Sequence, residues 1–291
     1  MPTASDRSRL ISIVQSRQNA RVRELRAAFA RSPRDESEII AIEGEHLLAE
    51  ALRSGLRLQT VFVRTDPDRR DAGLRMLARL DVPAAVPIVS LNPALFASAV
   101  DTESPQGIAA LVERPRFSLA ETLTASRTGP EPLVVIAAAL QDPGNFGTVI
   151  RSAEAFGATG VIALPGTVDV WNAKALRASA GSAFRVPVVA EKTAAALSAL
   201  KDRGIPLVAA VPATAEHEAI PSTDFDWRKP AAILIGNEGA GLSQDILDRA
   251  DALVTIPMPG PVESLNAAVA ASVLLYEAAR QRDNSAHLIT R

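Results

Sequence analysis

Short apolar runs rich in valine, isoleucine and alanine alternate along this chain with longer segments in which apolar residues recur every three or four positions. The first pattern is typical of buried parallel strands and the second of amphipathic helices. The alternation therefore predicts an α/β fold. Strands are expected near residues 39–44, 61–63, 87–89, 107–112, 132–140, 161–164, 186–189, 206–211, 231–235 and 253–256. Helices are expected within 10–29, near 45–54, 68–80, 92–100 and 119–125, from 146 onward, and near 172–180, 193–203 and 265–282.

A change in composition divides the chain. Residues 116–131 lack a strong strand pattern and carry serine, threonine, glycine and proline, which is typical of a linker. We expect a small N-terminal α/β domain over residues 1–115 and a second domain over residues 132–291. The strands of the second domain are near-continuous apolar runs, which favours a parallel sheet.

Composition excludes several kinds of chemistry. The 291 residues include no cysteine, so a disulfide framework, a thiolate metal site and a cysteine nucleophile are excluded. His46, His217 and His287 do not have the spacing of metal ligands, and we expect no metal. The apolar runs are shorter than the ~18 residues that a membrane-spanning helix needs. A cytoplasmic protein that is not bound to a membrane is expected.

Positive charge is concentrated near the N-terminus, although the whole chain has a net charge of −2. Residues 1–34 contain eight arginines against Asp6 and Glu24, a net charge of +6. Such an arginine-rich segment suggests contact with a phosphate backbone. The alternative is a solvated helix face whose arginines only maintain solubility. The predicted RNA-binding residues are Arg17, Arg21, Arg23 and Arg26.

Three polar turns each follow an apolar strand, at 142–145, 236–241 and 257–266. In a parallel sheet such turns lie at one edge, where α/β proteins bind their ligands. The first turn precedes a helix that carries Arg151. None of the turns is a G-x-G-x-x-G or a G-x-x-x-x-G-K-[ST] motif, so binding of a dinucleotide or a nucleoside triphosphate is disfavoured.

Each polar residue in these turns also has an ordinary structural interpretation. Arg151 is compatible with a surface ion pair, Glu238 with a helix cap, and Ser264 or Asn266 with the N-cap of the last helix. The occurrence of three such turns in a fixed order, each after a buried strand, favours a ligand site.

The three turns also resemble a known family. The segments DPGNFGTVIRSAEAFGA, ILIGNEGAGLS and IPMPGPVESLNAAVAASVLLYEAARQ resemble the three motifs of the SpoU (TrmH-type) RNA ribose methyltransferases, in the SPOUT superfamily. The resemblance extends to NAKALRASAGSAF between the first two motifs. The N-terminal segments QSRQNARVRELR, IEGEHLLAEAL and QGIAALVERP are similar to the substrate-binding domain often fused to such enzymes.

This resemblance implies a SPOUT-type parallel-sheet domain with a trefoil knot, a homodimer, and methyl transfer from S-adenosylmethionine to a ribose 2′-hydroxyl of structured RNA. The separate N-terminal domain favours ribosomal RNA, most of all 23S rRNA. By position, the resemblance implies that the catalytic residues are Asn145, Arg151, Glu238, Ser264 and Asn266. It implies that the cofactor is held around Leu140, Gly236, Asn237, Ile256, Met258 and Leu265.

The residue types suit this chemistry. A ribose hydroxyl is a poor nucleophile whereas a sulfonium methyl group is already activated, so the enzyme must chiefly orient and deprotonate the hydroxyl. Arg151 stays cationic at ordinary pH, which favours binding of a phosphate and stabilisation of the developing alkoxide. Whether Arg151 is also the base is left open.

Three other functions are compatible with the sequence. The protein could methylate tRNA, or it could be an RNA-binding or ribosome-assembly protein that retains the fold without turnover. An adenine-nucleotide enzyme is a third possibility, but no phosphate-loop lysine is present.

Overall fold

The computed structural model describes residues 11–30, 38–65, 72–124, 131–212 and 218–283. By spatial contacts the chain divides into two compact units, residues 1–115 with 171–184 and residues 116–170 with 185–291. Within the described ranges, no helix is long and apolar enough to cross a membrane.

The first unit contains a five-stranded mixed sheet with the strand order β1-β4-β3-β5-β2. Strands β1, β4 and β3 run parallel to one another, whereas β5 is antiparallel to both β3 and β2. Its core contains Phe62 and Phe96, both fully buried. The elements are β1 (Ile11–Val14), α1 (Ala20–Phe29), β2 (Ile39–Glu43), α2 (Glu45–Arg53), β3 (Leu58–Arg64), α3 (Ala72–Ala78), β4 (Ile88–Leu91), α4 (Pro93–Ala97), β5 (Ile108–Glu113) and α7 (Ala173–Ser179), followed by a 3-10 turn (Ser182–Phe184).

Helix α1 buries one face only, because its apolar residues are spaced for that face. Val22 and Leu25 are fully buried in the core. The Asn19 side chain caps the helix by accepting a hydrogen bond of 2.9 Å from the backbone N–H of Arg21. The strand β1 before it was not predicted, because its partner β4 lies more than seventy residues later in the chain.

The second unit contains a seven-stranded sheet in which every pair of neighbours is parallel, with the order β10-β12-β9-β11-β6-β7-β8. The α/β class and the parallel sheet are therefore confirmed. The elements are α5 (Leu119–Thr122), β6 (Leu133–Ala137), α6 (Pro143–Ala155), β7 (Gly160–Ala163), β8 (Val188–Ala190), α8 (Thr193–Asp202), β9 (Leu207–Ala210), β10 (Ile220–Pro221), β11 (Ala231–Ile235), α9 (Gln244–Leu247), β12 (Ala252–Thr255) and α10 (Ala267–Arg282).

One predicted boundary is wrong in a way that matters for the site. Helix α6 begins at Pro143, not at Phe146, so the predicted tight turn is the first turn of the helix. Proline is suited to the first helical position, and the Asp142 side chain accepts a hydrogen bond of 2.8 Å from the backbone N–H of Asn145. Asn145 therefore lies on a helix and not in a loop.

Part of the predicted linker belongs to the second unit. Ser118 and Glu121 form a reciprocal capping box at the start of α5. Leu123, which follows the helix, is buried in the core of this unit. Residues 125–130 of the linker, residues 68–71 of the helix predicted over 68–80, and His217 and His287 lie outside the described residues.

Candidate active site

A cavity of about 420 Å³ lies at the carboxyl ends of β9, β11 and β12. Ligands of parallel α/β sheets bind at this edge, because the loops that follow the strands meet there. The lining residues are Ala210, Val211, Pro212, Ile235, Gly236, Asn237, Glu238, Gly239, Ala240, Gly241, Leu242, Leu247, Val254, Thr255, Ile256, Met258, Ser264, Leu265, Ala267 and Ala270.

The lining includes most of the residues proposed from the sequence for cofactor binding, and also Glu238 and Ser264. Leu140 is not among the lining residues: it is fully buried, and its carbonyl oxygen accepts a hydrogen bond of 2.8 Å from the backbone N–H of Val168. The contribution of β9 was not predicted. The run Leu207–Val211 resembles the other strands, but none of the three proposed polar turns follows it, and only the strand order places it between β11 and β12.

The loop after β11 is closed on itself. Backbone hydrogen bonds of 3.0 Å run in both directions between Asn237 and Gly241. The Asn237 Oδ1 accepts hydrogen bonds from the backbone N–H groups of Gly239 (2.9 Å) and Ala240 (3.0 Å). Its Nδ2 donates to the carbonyl of Ala139 at 2.8 Å. Asn237 therefore joins this loop to the loop that follows β6.

Gly236 allows the two ends of this loop to approach closely. A Cβ atom at this position would lie 2.6 Å from the carbonyl carbon of Gly241, 2.7 Å from its oxygen and 2.9 Å from Cγ of Leu242. Only glycine fits without moving the loop. The backbone of residues 236–241 can in this way form one wall of the cavity.

Three polar side chains that were proposed from separate motifs are joined by hydrogen bonds. Asn266 Nδ2 donates to Asn145 Oδ1 at 3.0 Å, and Asn145 Nδ2 donates to Glu238 Oε1 at 2.9 Å. We call these three residues the Asn-Asn-Glu relay. Its direction is determined by capping, because Asn266 Oδ1 accepts a hydrogen bond of 2.9 Å from the backbone N–H of Ala268. The Asn266 amide nitrogen must then face Asn145, and Asn145 must offer its own nitrogen to the carboxylate.

Two helix N-termini meet at this relay. Asn145 lies in the first turn of α6, and Asn266 is the N-cap of α10. The N-terminus of a helix carries partial positive charge, which stabilises a nearby carboxylate. The Glu238 carboxylate therefore lies on the cavity lining and is joined through Asn145 to the first turn of α6 and to the N-cap of α10.

Arg151 lies elsewhere on α6. Arg151 is exposed and does not line the cavity. Its side chain has no hydrogen bond or ion pair with another residue in the described part of the chain. The structure therefore brings Asn145, Glu238 and Asn266 together but leaves this arginine as a free cation on the surface.

The four N-terminal arginines differ in how far the first unit uses them. Arg21 Nη1 donates to Thr60 Oγ1 at 2.9 Å, and Arg26 Nε donates to the carbonyl of Ser98 at 3.1 Å. Arg17 and Arg23 are exposed and have no such partner among the described residues. Arg17 and Arg23 are thus the two that remain available to a ligand.

Among the residues described, no group of three or more histidine, aspartate or glutamate side chains is placed to hold a metal ion. The site therefore consists of backbone, amide, hydroxyl, carboxylate and apolar groups.

Comparison with known proteins assigns this arrangement to a family. Residues 132–276 match the profile of the SpoU rRNA Methylase family, and residues 19–110 match that of the MRM3-like substrate binding domain. The 23S rRNA (guanosine(2553)-2′-O)-methyltransferase RlmP of Bacillus subtilis is 34% identical over 263 residues, which cover 90% of this chain and 97% of RlmP. The chain belongs to the SpoU rRNA methylase family. The resemblance read from the three motifs is confirmed.

Other members of the SpoU family extend the likeness. The 23S rRNA (uridine(2479)-2′-O)-methyltransferase of Streptomyces viridochromogenes is 40% identical over 184 residues, 62% of each chain. The crystal structure of the SpoU methyltransferase AviRb from that organism, in complex with the cofactor AdoMet, is 31% identical with a TM-score of 0.78, covering 92% of this chain and 100% of AviRb. An AdoMet-bound rRNA methyltransferase from Sinorhizobium meliloti is 28% identical with a TM-score of 0.77, covering 97% and 100%.

Proposed function

We propose that this SpoU family member transfers a methyl group from S-adenosylmethionine to a ribose 2′-hydroxyl of 23S ribosomal RNA. The observation that carries the proposal is the Asn-Asn-Glu relay at the mouth of a glycine-walled cavity, at the sheet edge where ligands bind. RlmP and the Streptomyces relative are named as 23S rRNA 2′-O-methyltransferases, which supports the choice of substrate.

The cavity fits the cofactor. Its volume of about 420 Å³ is within the range of roughly 300–1,000 Å³ that is usual for small-molecule sites. The bare backbone around Gly236 provides N–H and C=O groups for a polar ligand, whereas Val211, Leu247 and Ile256 offer apolar surface to a base. When bound, S-adenosylmethionine supplies an activated methyl group, and both AviRb and the Sinorhizobium enzyme have been crystallised with it.

The chain's own residues would orient the nucleophile. Glu238 and Asn145 offer an acceptor and an amide beside the cavity, and Ser264 offers a hydroxyl on its lining. Because the relay is already hydrogen-bonded, little reorganisation is needed when the substrate arrives. Arg151 would bind an RNA phosphate and stabilise the alkoxide as it develops, since a guanidinium holds its proton too firmly to act readily as a base.

A homodimer is part of the proposal. Val269, Val273 and Tyr276 lie at helical spacing on α10 and are 48%, 37% and 56% exposed. Helix α10 packs against α6, which carries Arg151. The hydroxyl oxygens of Ser152 on α6 and Ser272 on α10 are 2.7 Å apart. A second copy on this apolar face would cover it and would lie beside the arginine. Val273→Glu is expected to give a monomer in sedimentation velocity experiments, and an unchanged sedimentation coefficient would argue against this interface.

The two parts of the chain would have separate roles. We assign RNA binding to residues 1–115, through Arg17, Arg23 and their neighbours, and methyl transfer to residues 132–291, with residues 116–131 as the linker. The MRM3-like substrate binding profile over residues 19–110 supports the first assignment. We place the reaction in the cytoplasm, and a trefoil knot in the second domain remains a prediction from the family.

The test is transfer of label from radiolabelled S-adenosylmethionine to deproteinised 23S rRNA and, separately, to tRNA, followed by mapping of the modified nucleotide. We expect label at one ribose of 23S rRNA. Arg151→Ala should lower kcat/KM by a factor of about 100 to 1,000, and Arg151→Lys should also impair turnover because it loses the bidentate fork. Cofactor affinity should stay unchanged in both variants, since Arg151 does not line the cavity.

Arg203→Ala is the matched control, because Arg203, at the end of α8, is another exposed arginine whose side chain has no partner among the described residues. Its turnover should equal that of the wild type. Label in tRNA alone would replace the rRNA assignment with a tRNA one. Cofactor binding without label in either RNA would instead favour the non-catalytic RNA-binding protein.

A further inference from the structure

The hydroxyl of Thr255 has no hydrogen-bond partner. Thr255 is the last residue of β12 and is only 8% exposed. Its Oγ1 is sealed from solvent and, within the described ranges, is the only buried side-chain nitrogen or oxygen without a partner. A buried hydroxyl that makes no hydrogen bond is destabilising, and native structures contain few of them. An unpaired hydroxyl therefore needs an explanation.

The surroundings of Thr255 point to a ligand. The residue lines the cavity, and its backbone carbonyl is already engaged by the backbone N–H of Ser222 at 2.8 Å. The strand is thereby held in place, and only the side chain is left to turn. Its neighbours on the lining, Val211 and Ile256, offer no polar side-chain atoms. Rotation about χ1, or one buried water, would connect the hydroxyl to a molecule in the cavity.

Sheet topology indicates which part of that molecule lies near Thr255. Strand β9 separates β12 from β11, and the relay residue Glu238 follows β11. Neighbouring strands lie about 4.8 Å apart, so the β12 end of the cavity is about 10 Å from the β11 end. The methyl group must lie near the relay. The opposite, largely apolar end therefore suits a flat aromatic base with hydrogen-bonding atoms on its edge.

We propose that Thr255 is a specificity residue whose hydroxyl hydrogen-bonds the adenine of the bound cofactor, directly or through one buried water. The inference rests on the proposed function, since it requires S-adenosylmethionine or its demethylated product to occupy the cavity. A threonine hydroxyl can both donate and accept, so it suits either the ring nitrogens or the amino group of the base. The hydroxyl is unpaired without the ligand and paired with it.

This role has a signature that a structural threonine lacks. Thr255→Val is nearly isosteric and removes only the hydrogen-bonding capacity. Without ligand, its thermal unfolding midpoint should not fall below that of the wild type, because no hydrogen bond of the folded protein is lost. Isothermal titration with S-adenosylhomocysteine should show roughly fivefold weaker binding, the effect of one neutral hydrogen bond. Thr255→Ser should bind like the wild type.

Thr159→Val is the matched control. Thr159 is equally buried, but its hydroxyl lies 2.8 Å from the carbonyl oxygen of Thr122 and 3.1 Å from that of Leu133. Its removal should lower the unfolding midpoint and leave the Kd unchanged. The inference is overturned if Thr255→Val binds S-adenosylhomocysteine as tightly as the wild type does, whether or not its midpoint falls. Absence of binding by the wild type would overturn the cofactor assignment itself, and with it the proposed function.

Discussion

Replacement of Gly236 by alanine tests whether the loop after β11 forms the wall of the cofactor cavity. The new Cβ would lie 2.6 Å from the carbonyl carbon of Gly241, whereas carbon atoms in contact are ordinarily about 3.5–4.0 Å apart. The loop must therefore shift by about 1 Å. Because Asn237 and Gly241 hydrogen-bond each other in both directions, the loop is expected to move as one piece.

The size of the effect follows from this shift. Overpacking of a well-packed site typically costs about 1–3 kcal/mol of folding stability. The same displacement moves the backbone groups that face the cavity, so we expect the Kd for S-adenosylmethionine to rise at least about tenfold, equivalent to ~1.4 kcal/mol. Isothermal titration and urea unfolding of the same preparations measure the two effects separately.

Two other glycines provide controls. At Gly239, in the same loop, a Cβ would meet only Asn237 Oδ1 at 3.6 Å, so Gly239→Ala should leave the stability nearly unchanged. At Gly160, a Cβ would lie 2.7 Å from Cα of Thr122, at a position that does not line the cavity. Gly160→Ala should lower the free energy of unfolding, while the folded protein keeps its affinity for S-adenosylmethionine. If folded Gly236→Ala binds the cofactor within twofold of the wild type, this loop is not the cofactor wall.

Three further predictions concern the ends of the second unit and the N-terminal arginines. Arg282 donates to four backbone carbonyls, at distances of 2.7 to 3.2 Å, so Arg282→Lys should lower the free energy of unfolding by about 1–3 kcal/mol in urea titrations; an unchanged midpoint would contradict this. A hydrogen bond from Arg280 lowers the pKa of Glu277, so its charged form stabilises the fold above about pH 4.5, and this contribution is lost as pH falls through the lowered value. Glu277→Gln should accordingly have a lower free energy of unfolding at neutral pH, and that free energy should fall less steeply as the pH is lowered. Parallel curves of unfolding free energy against pH for the variant and the wild type would contradict this role of Glu277. Glutamine at both Arg17 and Arg23 should reduce the log-log salt slope of RNA binding by nearly one unit per lost phosphate contact, whereas an unchanged slope would mean a merely solvated surface.

Local patterns in the sequence predicted most of the elements and most of the cavity. The apolar runs at 231–235 and near 253–256 are strands at or within one residue of those positions, and the turns after them line the cavity. The strand predictions are confirmed because burial on both faces of a parallel sheet imposes a composition that is visible within a few residues. The start of α6 was misplaced although its signals, Asp142 as cap and Pro143 at the first position, are equally local.

Contacts between distant parts of the chain decided the rest. Asn145 meets Glu238 across 93 positions and Asn266 across 121, and no spacing in the sequence states that their amides form one directed relay. The position of β9 between β11 and β12, and the unpaired hydroxyl of Thr255, depend in the same way on strand order. The periodicity of apolar residues indicates which residues are buried, because local helix and strand geometry fixes which side chains share one face. It does not record which buried residues meet, because that is decided by the packing of the whole sheet.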